Sequence, residues 1–484
     1  MPPADNAGVF LDPNQCYRAL VAHDARFDGR FFVGVATTRI YCRPVCTAKA
    51  PHRHNCRFFP SAAAAEAQGF RPCLRCRPEL APGYAAVDAN RRLAQAAARL
   101  MEDGKLEDAS LADLAARLGV TDRHMRRVFQ QEFGVSPVEY AQTHRLLLAK
   151  RLLTDTDLSV MDVAMASGFA SLRRFNDLFR TRYRMTPGEL RRTAPARAPT
   201  ESLAFDLAYR PPYDWSAMLA FLKQRAIAGV EAVDGKRFRR TLRSGKVAGW
   251  IEVAPSPRRS ALRVVASLSL ASSLPSVLSR VKSLFDLACH PEEIAAALGP
   301  IASAHPGLRL PGAIDGFEIA VRAILGQQVT VKAAAVLAAR FAERFGAAIE
   351  TPHEALDRLF PQPAEIAALE PSRIAELGIF AARARAIVAL AREVDRGRLS
   401  MEPTAHIEST LAALEKLPGI GPWTAQYIAM RALAWPDAFP HPDVAVLKAM
   451  NQPQPKSAVA IAEAWRPWRA YAVLHLWKSL EKAQ

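Results

Sequence analysis

Leu417-Pro418-Gly419-Ile420-Gly421-Pro422-Trp423-Thr424-Ala425 reads as a helix end, a glycine-rich turn and a new helix start. Glycines there expose backbone N–H groups, and the positive end of the next helix adds to them, so a phosphate can dock. A plain connection between two helices uses the same residues, and the turn alone does not separate the two readings. Around it, from about residue 285 to the end, apolar residues recur at helical spacing between prolines and glycines. Upstream the period changes. Leu203, Phe205, Leu207 and Tyr209 alternate with Ala204, Asp206 and Ala208, which is strand spacing, and similar runs near 247–254 and 262–270 predict a small sheet. Residues 193–200, rich in proline and small residues, break any helix and read as a linker.

Before the linker, residues 88–192 carry Leu, Ala and Arg at helical spacing, and the pattern repeats. Phe129, Phe133, Ser136-Pro137 and Glu139 recur fifty residues later as Phe179, Tyr183, Thr186-Pro187 and Glu189. Gly119 recurs as Gly168, one residue out of step. Two copies of one helical unit follow from that period. In the first copy Leu111, Leu114, Ala115 and Leu118 make an apolar face. Thr121 then caps a helix with Met125, Val128 and Phe129 on one side and Arg123, Arg126 and Arg127 on the other. In the second, Val160, Val163 and Ala164 precede a helix capped by Ser171. Leu172, Phe175 and Phe179 point inward there, and Arg173, Arg174 and Asn176 outward. An apolar inner face with a basic outer face suits a helix that enters the major groove, although ordinary helical hairpins share the pattern.

Six of the seven cysteines fall in the first 76 residues. Cys42-Arg-Pro-Val-Cys46 and Cys73-Leu-Arg-Cys76 form two short-spaced pairs, and zinc takes four such sulfurs in a tetrahedron. Spacing does not tell a closed structural site from a reactive one. Cys56 belongs to neither pair and reads as a small buried apolar residue. Arg43 and Arg71 flank the ligands, where they could meet phosphates or stay solvated. The chain holds 64 Lys and Arg against 47 Asp and Glu, a net +17, and the excess is spread along its length. That balance favours a polyanionic partner. The longest uncharged apolar-looking stretch, 264–279, is short and serine-rich, so a membrane span is excluded. The first residues show neither a basic n-region nor an apolar h-region, and a cytoplasmic, nucleoid-associated location is expected.

These residues resemble known families. Thr37 to Cys46 and Gly69 to Cys76 are similar to the N-terminal zinc domain of the Ada alkylation-response family, over roughly residues 12–80. The resemblance implies one zinc held by Cys42, Cys46, Cys73 and Cys76, with Cys42 accepting a methyl group from a DNA methylphosphotriester. A thiolate is the nucleophile such chemistry needs. Residues 105–192 resemble an AraC-type regulator domain, which follows the zinc domain in Ada and would place Arg123, Arg126, Arg127, Arg173, Arg174 and Asn176 on promoter DNA. Asp443, twenty-two residues after Gly421, matches the helix-hairpin-helix DNA glycosylases. Pro211 to Trp215, Arg309 to Gly312 and Arg322 to Gln328 resemble the AlkA-type 3-methyladenine glycosylases, from about Phe205 to Trp477.

That resemblance implies a catalytic Asp443 and a base pocket of Trp423, Tyr427 and Trp477, which would otherwise read as aromatic core. It places Leu417, Gly419, Gly421 and Thr424 on the DNA. Electron-rich rings attract a cationic methylated purine by ~0.5–2 kcal/mol, and a carboxylate stabilises the cationic sugar. Lyase-type relatives carry Lys where this chain has Trp423, so hydrolysis without lyase activity is expected, with no cofactor. The wedge that fills the emptied base stack in AlkA-type enzymes is apolar, and the matching residue here is Gln328. No Pro-Cys-His-Arg tetrapeptide occurs, so repair of O6-methylguanine is not expected.

The expected architecture is multidomain and mainly α. It comprises a small α+β zinc domain (1–85), an all-α double helix-turn-helix domain (86–192), a linker (193–202), a small α/β domain with a β-sheet (203–285) and an all-α helix-hairpin-helix glycosylase domain (286–484). The expected partners are alkylated double-stranded DNA, promoter DNA and RNA polymerase, for a monomer that repairs alkylated DNA and regulates the adaptive response. The rival is a regulator whose C-terminal half senses damage without catalysis.

Overall fold

The strand Ile40–Cys42 (β2) runs parallel to the two-residue strand Arg71–Pro72 (β4), with Tyr41 opposite Pro72. That register brings Cys42 and Cys73, the next ligand positions, out side by side. The structure is a computed structural model that describes residues 12–81, 89–102, 110–193, 202–257, 259–402, 407–441, 443–452 and 454–481. Within it β1 (Phe32–Val35) pairs antiparallel with β2 and with β3 (Cys56–Phe59), giving a sheet ordered β3-β1-β2-β4. Cys56 is buried with Cys16, Leu20, Phe31 and Val33, so it is a core residue and no spare ligand. The chain divides into two units: residues 1–211, 256–279 and 287–289, and residues 212–255, 280–286 and 290–484.

In the first unit the helical repeat forms as its capping residues dictate. Thr121 accepts from the His124 N–H and starts the helix Asp122–Phe133. Ser171 does the same for Leu172–Tyr183. Gly119 and Gly168 take positive φ values of 70° and 79° in the two turns, where an L side chain would be strained. Ser136 with Glu139, and Thr186 with Glu189, form capping boxes that open the next helices, Pro137–Asp155 and Pro187–Arg192. The Phe129–Phe133 ring contact in one copy is matched by Phe179–Tyr183 in the other.

The helix Pro137–Asp155 also holds the cysteine-rich module. Thr143 donates to Glu66 at 3.1 Å, Lys150 pairs with Glu79 at 2.9 Å, and Arg77 reaches Asp155 at 2.5 Å. The strand β5 (Ser202–Ala208) pairs antiparallel with β9 (Ala261–Ser267). Both belong to this unit, because the Arg151 guanidinium lies 4.1 Å from the Phe205 ring centroid and donates to the Asp206 carbonyl. The linker expected at 193–202 lies almost wholly outside the described residues.

In the second unit β6 (Glu231–Asp234), β7 (Arg237–Ser244) and β8 (Val247–Pro255) form an antiparallel meander. Its register sets Glu231 opposite Arg240. Helix Gly316–Leu325 contributes Glu318 and Arg322 one turn apart, and the four charges close into a buried network. Arg240 lies 3.0 Å from Glu231 and 2.7 Å from Glu318, while Arg322 lies 3.0 Å from Glu231 and 2.9 Å from Glu318. Burial alone would raise the Glu318 carboxyl, but the two guanidiniums outweigh it and hold it below the usual range. Glu318→Ala should destabilise this unit by about 3–5 kcal/mol, because two buried cations lose a partner. Urea denaturation checks this, and a loss under about 1 kcal/mol would show that the guanidiniums find other partners. Among the described residues no helix is long and apolar enough to cross a membrane.

Candidate functional sites: an indole-held aspartate and a four-cysteine cluster

Helix Ile407–Glu415 ends at the turn Leu417–Gly421, and helix Pro422–Arg431 begins from it. Gly419 has φ +79°, and a Cβ there would sit 3.3 Å from the Ala386 Cβ. Gly421 occupies the N-cap with no side chain to bond the first N–H groups, and Pro422 has none, so Trp423 and Thr424 present theirs at the helix start. The turn is pinned from a second loop. Gln327 donates through Nε2 to the Gly419 carbonyl at 2.8 Å and to the Thr424 hydroxyl at 2.9 Å. The Thr424 side chain is therefore buried, and only its backbone N–H is placed to meet a phosphate; Leu417 is half-buried against the core.

Asp443 caps helix Val444–Ala449, accepting the Val446 N–H at 2.9 Å. Its other partners are indoles: Trp423 Nε1 donates to Oδ2 at 2.8 Å and Trp477 Nε1 to Oδ1 at 3.2 Å. Two aromatic residues expected to line a pocket thus hold the carboxylate expected beside it. Tyr427, one turn after Trp423, stacks on it with centroids 5.3 Å apart and planes 14° from parallel, and faces Trp477 at 6.4 Å. Arg431 donates to the Tyr427 hydroxyl at 2.8 Å. Burial would raise the Tyr427 phenol, but Arg431, Arg225 and Arg322 outweigh it and bring it below its ordinary value. Gln328 is exposed, in the left-handed region at φ +53°.

The sulfur atoms of Cys42, Cys46, Cys73 and Cys76 lie within 4.8 Å of one another. Four sulfurs this close cannot all be thiolates without a cation between them. Hydrogen bonds from Cys42 hold Cys46 down to about 7 and Cys73 below its ordinary value, and push the Cys42 thiol up. The donor set, four soft sulfurs and no carboxylate, fits zinc. Cys46 and Cys73 are buried, whereas Cys42 and Cys76 are half-exposed. Backbone N–H groups reach three sulfurs: Arg43 donates to Cys76 at 3.4 Å, Ala48 to Cys46 and Cys76 to Cys73.

Four family models match in succession. They are described as the metal binding domain of Ada (residues 15–79), a helix-turn-helix domain (114–193), the AlkA N-terminal domain (204–315) and the HhH-GPD superfamily base excision DNA repair protein (321–462). The "Probable bifunctional transcriptional activator/DNA repair enzyme AlkA" of Mycobacterium tuberculosis is 38% identical over 485 residues, covering 97% of each chain. The chain belongs to this bifunctional activator/repair family. Its two halves have separate relatives. DNA-3-methyladenine glycosylase 2 of Escherichia coli is 39% identical over 273 residues, 56% of this chain and 96% of that one. The Bacillus subtilis activator/repair enzyme AdaA is 31% identical over 177 residues, 36% of this chain and 81% of that one.

Within this family member one expectation fails. Arg43 does not face solvent: it is 6% exposed, its Nε donates to Asp28 at 2.8 Å and its Nη1 to the Cys76 carbonyl at 3.1 Å. Paired on both sides, it braces the cysteine loop and has no free face for a phosphate. Arg75, exposed between Cys73 and Cys76, is the cation beside the cluster that spacing did not single out. On the helix-turn-helix units Arg123, Arg126, Arg127, Arg173 and Arg174 are exposed, and Asn176 is half-buried. Arg126 pairs with Asp122 at 3.0 Å, and Arg127 contacts His124. Of the arginines around Tyr427, Arg322 stands in the sequence reading only as part of the Arg322–Gln328 segment, and Arg225 and Arg431 do not stand out there. The charged i, i+4 pair in the otherwise apolar run Phe317-Glu318-Ile319-Ala320-Val321-Arg322 is the signal for Arg322.

Proposed function

We propose that the C-terminal half excises alkylated bases such as 3-methyladenine from duplex DNA by hydrolysis. The observation that carries this is Asp443, fixed at a helix start by two indole N–H groups beside stacked Trp423 and Tyr427. Methylation at a purine ring nitrogen makes the base cationic. After extrusion the N-glycosidic bond breaks with its electron pair going to the base, which leaves neutral. The positive charge passes to the sugar, which Asp443 stabilises. Water adds at C1′, and its proton passes to Asp443 or to solvent. The pocket rings attract the cationic base, and the hairpin N–H groups hold a backbone phosphate. With Trp423 where an amine would be needed, no Schiff base forms and the enzyme is monofunctional.

The N-terminal half, in the same reading, binds one zinc ion and takes a methyl group on Cys42. When bound, the metal keeps four thiolates together. Of the two half-exposed sulfurs, Cys76 accepts an N–H bond that draws off its electron density, so Cys42 is the better nucleophile. Its thiolate attacks the methyl carbon of a methylphosphotriester, a C–S bond forms, the C–O bond breaks and a phosphodiester anion leaves. The helix-turn-helix arginines then bind promoter DNA, and a monomer that contacts RNA polymerase activates transcription. One assay tests both halves: alkylated duplex DNA incubated with the purified protein, scoring released bases and protein-bound methyl. Absence of released base would overturn the excision reading, and absence of protein-bound methyl would overturn the role of Cys42.

Methylation should also tighten promoter binding. Four thiolates on a divalent cation leave two formal negative charges, and a thioether removes one of them. One unit charge near a phosphate is worth about 1–4 kcal/mol at contact distance, so affinity should rise roughly tenfold or more. A promoter titration at fixed salt measures it, and Cys42→Ser should abolish the change. Equal affinities before and after methylation would separate repair from sensing.

A further inference from the structure

Among the described residues, two guanidiniums beside Tyr427 have no carboxylate partner. Arg431, 3% exposed, donates to the Pro311 and Gly312 carbonyls and to the Tyr427 hydroxyl. Arg225, at the end of helix Trp215–Gln224, donates to the Phe221 carbonyl at 3.3 Å and bonds the same hydroxyl. The two cations lie 4.8 Å and 3.7 Å from the centroid of one ring, Phe221. The acids of this cluster are already engaged: Glu231 and Glu318 hold Arg240 and Arg322. Asp443 is taken up by two indoles and the Val446 N–H. Four guanidiniums thus meet two carboxylates, and a buried cation without a counter-charge is costly. Among the described residues, only the Tyr427 phenol is bonded to both Arg225 and Arg431 and can become an anion.

That phenol belongs to the wall expected to receive the base. Its ring stacks on Trp423 with planes 14° from parallel and faces Trp477. As a neutral phenol accepting two charged hydrogen bonds, the ring gives up electron density, and the cations behind it oppose a methylated, cationic purine. Loss of the proton to water reverses both effects. The oxygen then carries a full negative charge, the excess of the cluster falls from two positive charges to one, and the ring face gains electron density. Cations are drawn to such a face, whereas a neutral base gains little from it. Arg322, on helix Gly316–Leu325, works in the same direction as Arg225 and Arg431, and together they outweigh the burial that would keep the phenol protonated.

We infer that Tyr427, ionising against Arg225 and Arg431, is the counter-charge of this cluster and sets the preference of the pocket for cationic over neutral damaged bases. The inference rests on the base-excision reading above. Its test begins with a near-ultraviolet absorbance titration of wild type, Tyr427→Phe and Arg225→Gln, which needs no DNA. Wild type should show one of its nine tyrosines ionising below the rest. Tyr427→Phe should lack that step, and Arg225→Gln should move it to higher pH. Single-turnover release is then compared on either side of the step, on duplexes carrying 3-methyladenine, which is cationic, or an etheno-bridged adenine, which is neutral. In wild type the ratio of the two rates should rise through the step by about 2- to 30-fold, the span of a cation–ring attraction. In Tyr427→Phe it should stay flat. Should Tyr427→Phe fail to fold, a step unmoved in Arg225→Gln would overturn the pairing. Identical titrations in wild type and Tyr427→Phe would overturn the ionisation, and a wild-type ratio that ignores the step would overturn the selectivity. A wild type that releases neither base would sink the excision reading, while the titration still decides whether Tyr427 is the counter-charge.

Discussion

Asp443→Asn is expected to keep the fold and the affinity for alkylated DNA while base release falls by about two to three orders of magnitude, the usual cost of removing one preorganised electrostatic group. The geometry says why the fold survives. Asn is as good an N-cap as Asp, and its oxygen can keep the Val446 N–H and the Trp477 indole on the Oδ1 side. The Oδ2 side fares worse, because the new NH2 would face the Trp423 N–H, donor to donor. Trp423 should shift and its fluorescence should change, which reports on the site apart from the chemistry. The negative charge beside the sugar is gone, and that is the rate. Single-turnover release of 3-methyladenine measures it. Normal turnover would remove Asp443 from the chemistry, whereas lost DNA binding would show that the substitution had disturbed the hairpin.

What the sequence made legible is what local rules govern. The two helix-turn-helix copies carry their own caps and glycine turns, and Thr121, Ser171, Gly119 and Gly168 do in the structure what their types require. The cysteine spacing is equally local, since each pair spans one short loop. The hidden features depend on groups distant in sequence. Arg43 looks like a solvated cation until Asp28, fifteen residues away, is packed against it. Trp423 and Trp477 carry an expectation as pocket rings, but that their N–H groups converge on one carboxylate needs the tertiary fold. The Glu231–Arg240–Glu318–Arg322 network joins a strand pair to a helix some eighty residues on. No periodicity encodes that meeting.

Removing zinc should have a wider reach than the cysteine spacing implies. Seen as sequence, the module ends near residue 85, and Cys73→Ser or Cys76→Ser should unfold residues 1–80 alone. In the structure the module is bonded into its neighbour. Ser61 donates to the Phe133 carbonyl at 2.6 Å, Arg182 to the Glu66 carbonyl at 3.1 Å, and Lys150 to Glu79, three residues past the last ligand. Glu66 is itself buried, its carboxyl pushed up to about 7 by burial against the opposing bonds of Tyr41 and Thr143. Structural zinc contributes roughly 10–16 kcal/mol in small finger peptides, comparable to the whole stability of a typical domain, ~5–15 kcal/mol. With one ligand lost, the loop carrying Cys73, Cys76 and Glu79 should come free. Lys150, 2% exposed, would then be left a buried cation without its carboxylate. The long helix between the two DNA-reading units should destabilise with it. Either substitution should therefore release the zinc and lower the melting temperature of the helix-turn-helix region as well. Promoter binding should be lost, while base release persists in the second unit. Metal analysis, calorimetry and the base-release assay on one preparation check all three. An intact protein without zinc would overturn the four-cysteine site, and a helix-turn-helix transition unmoved by zinc loss would show that these bonds couple the two modules weakly.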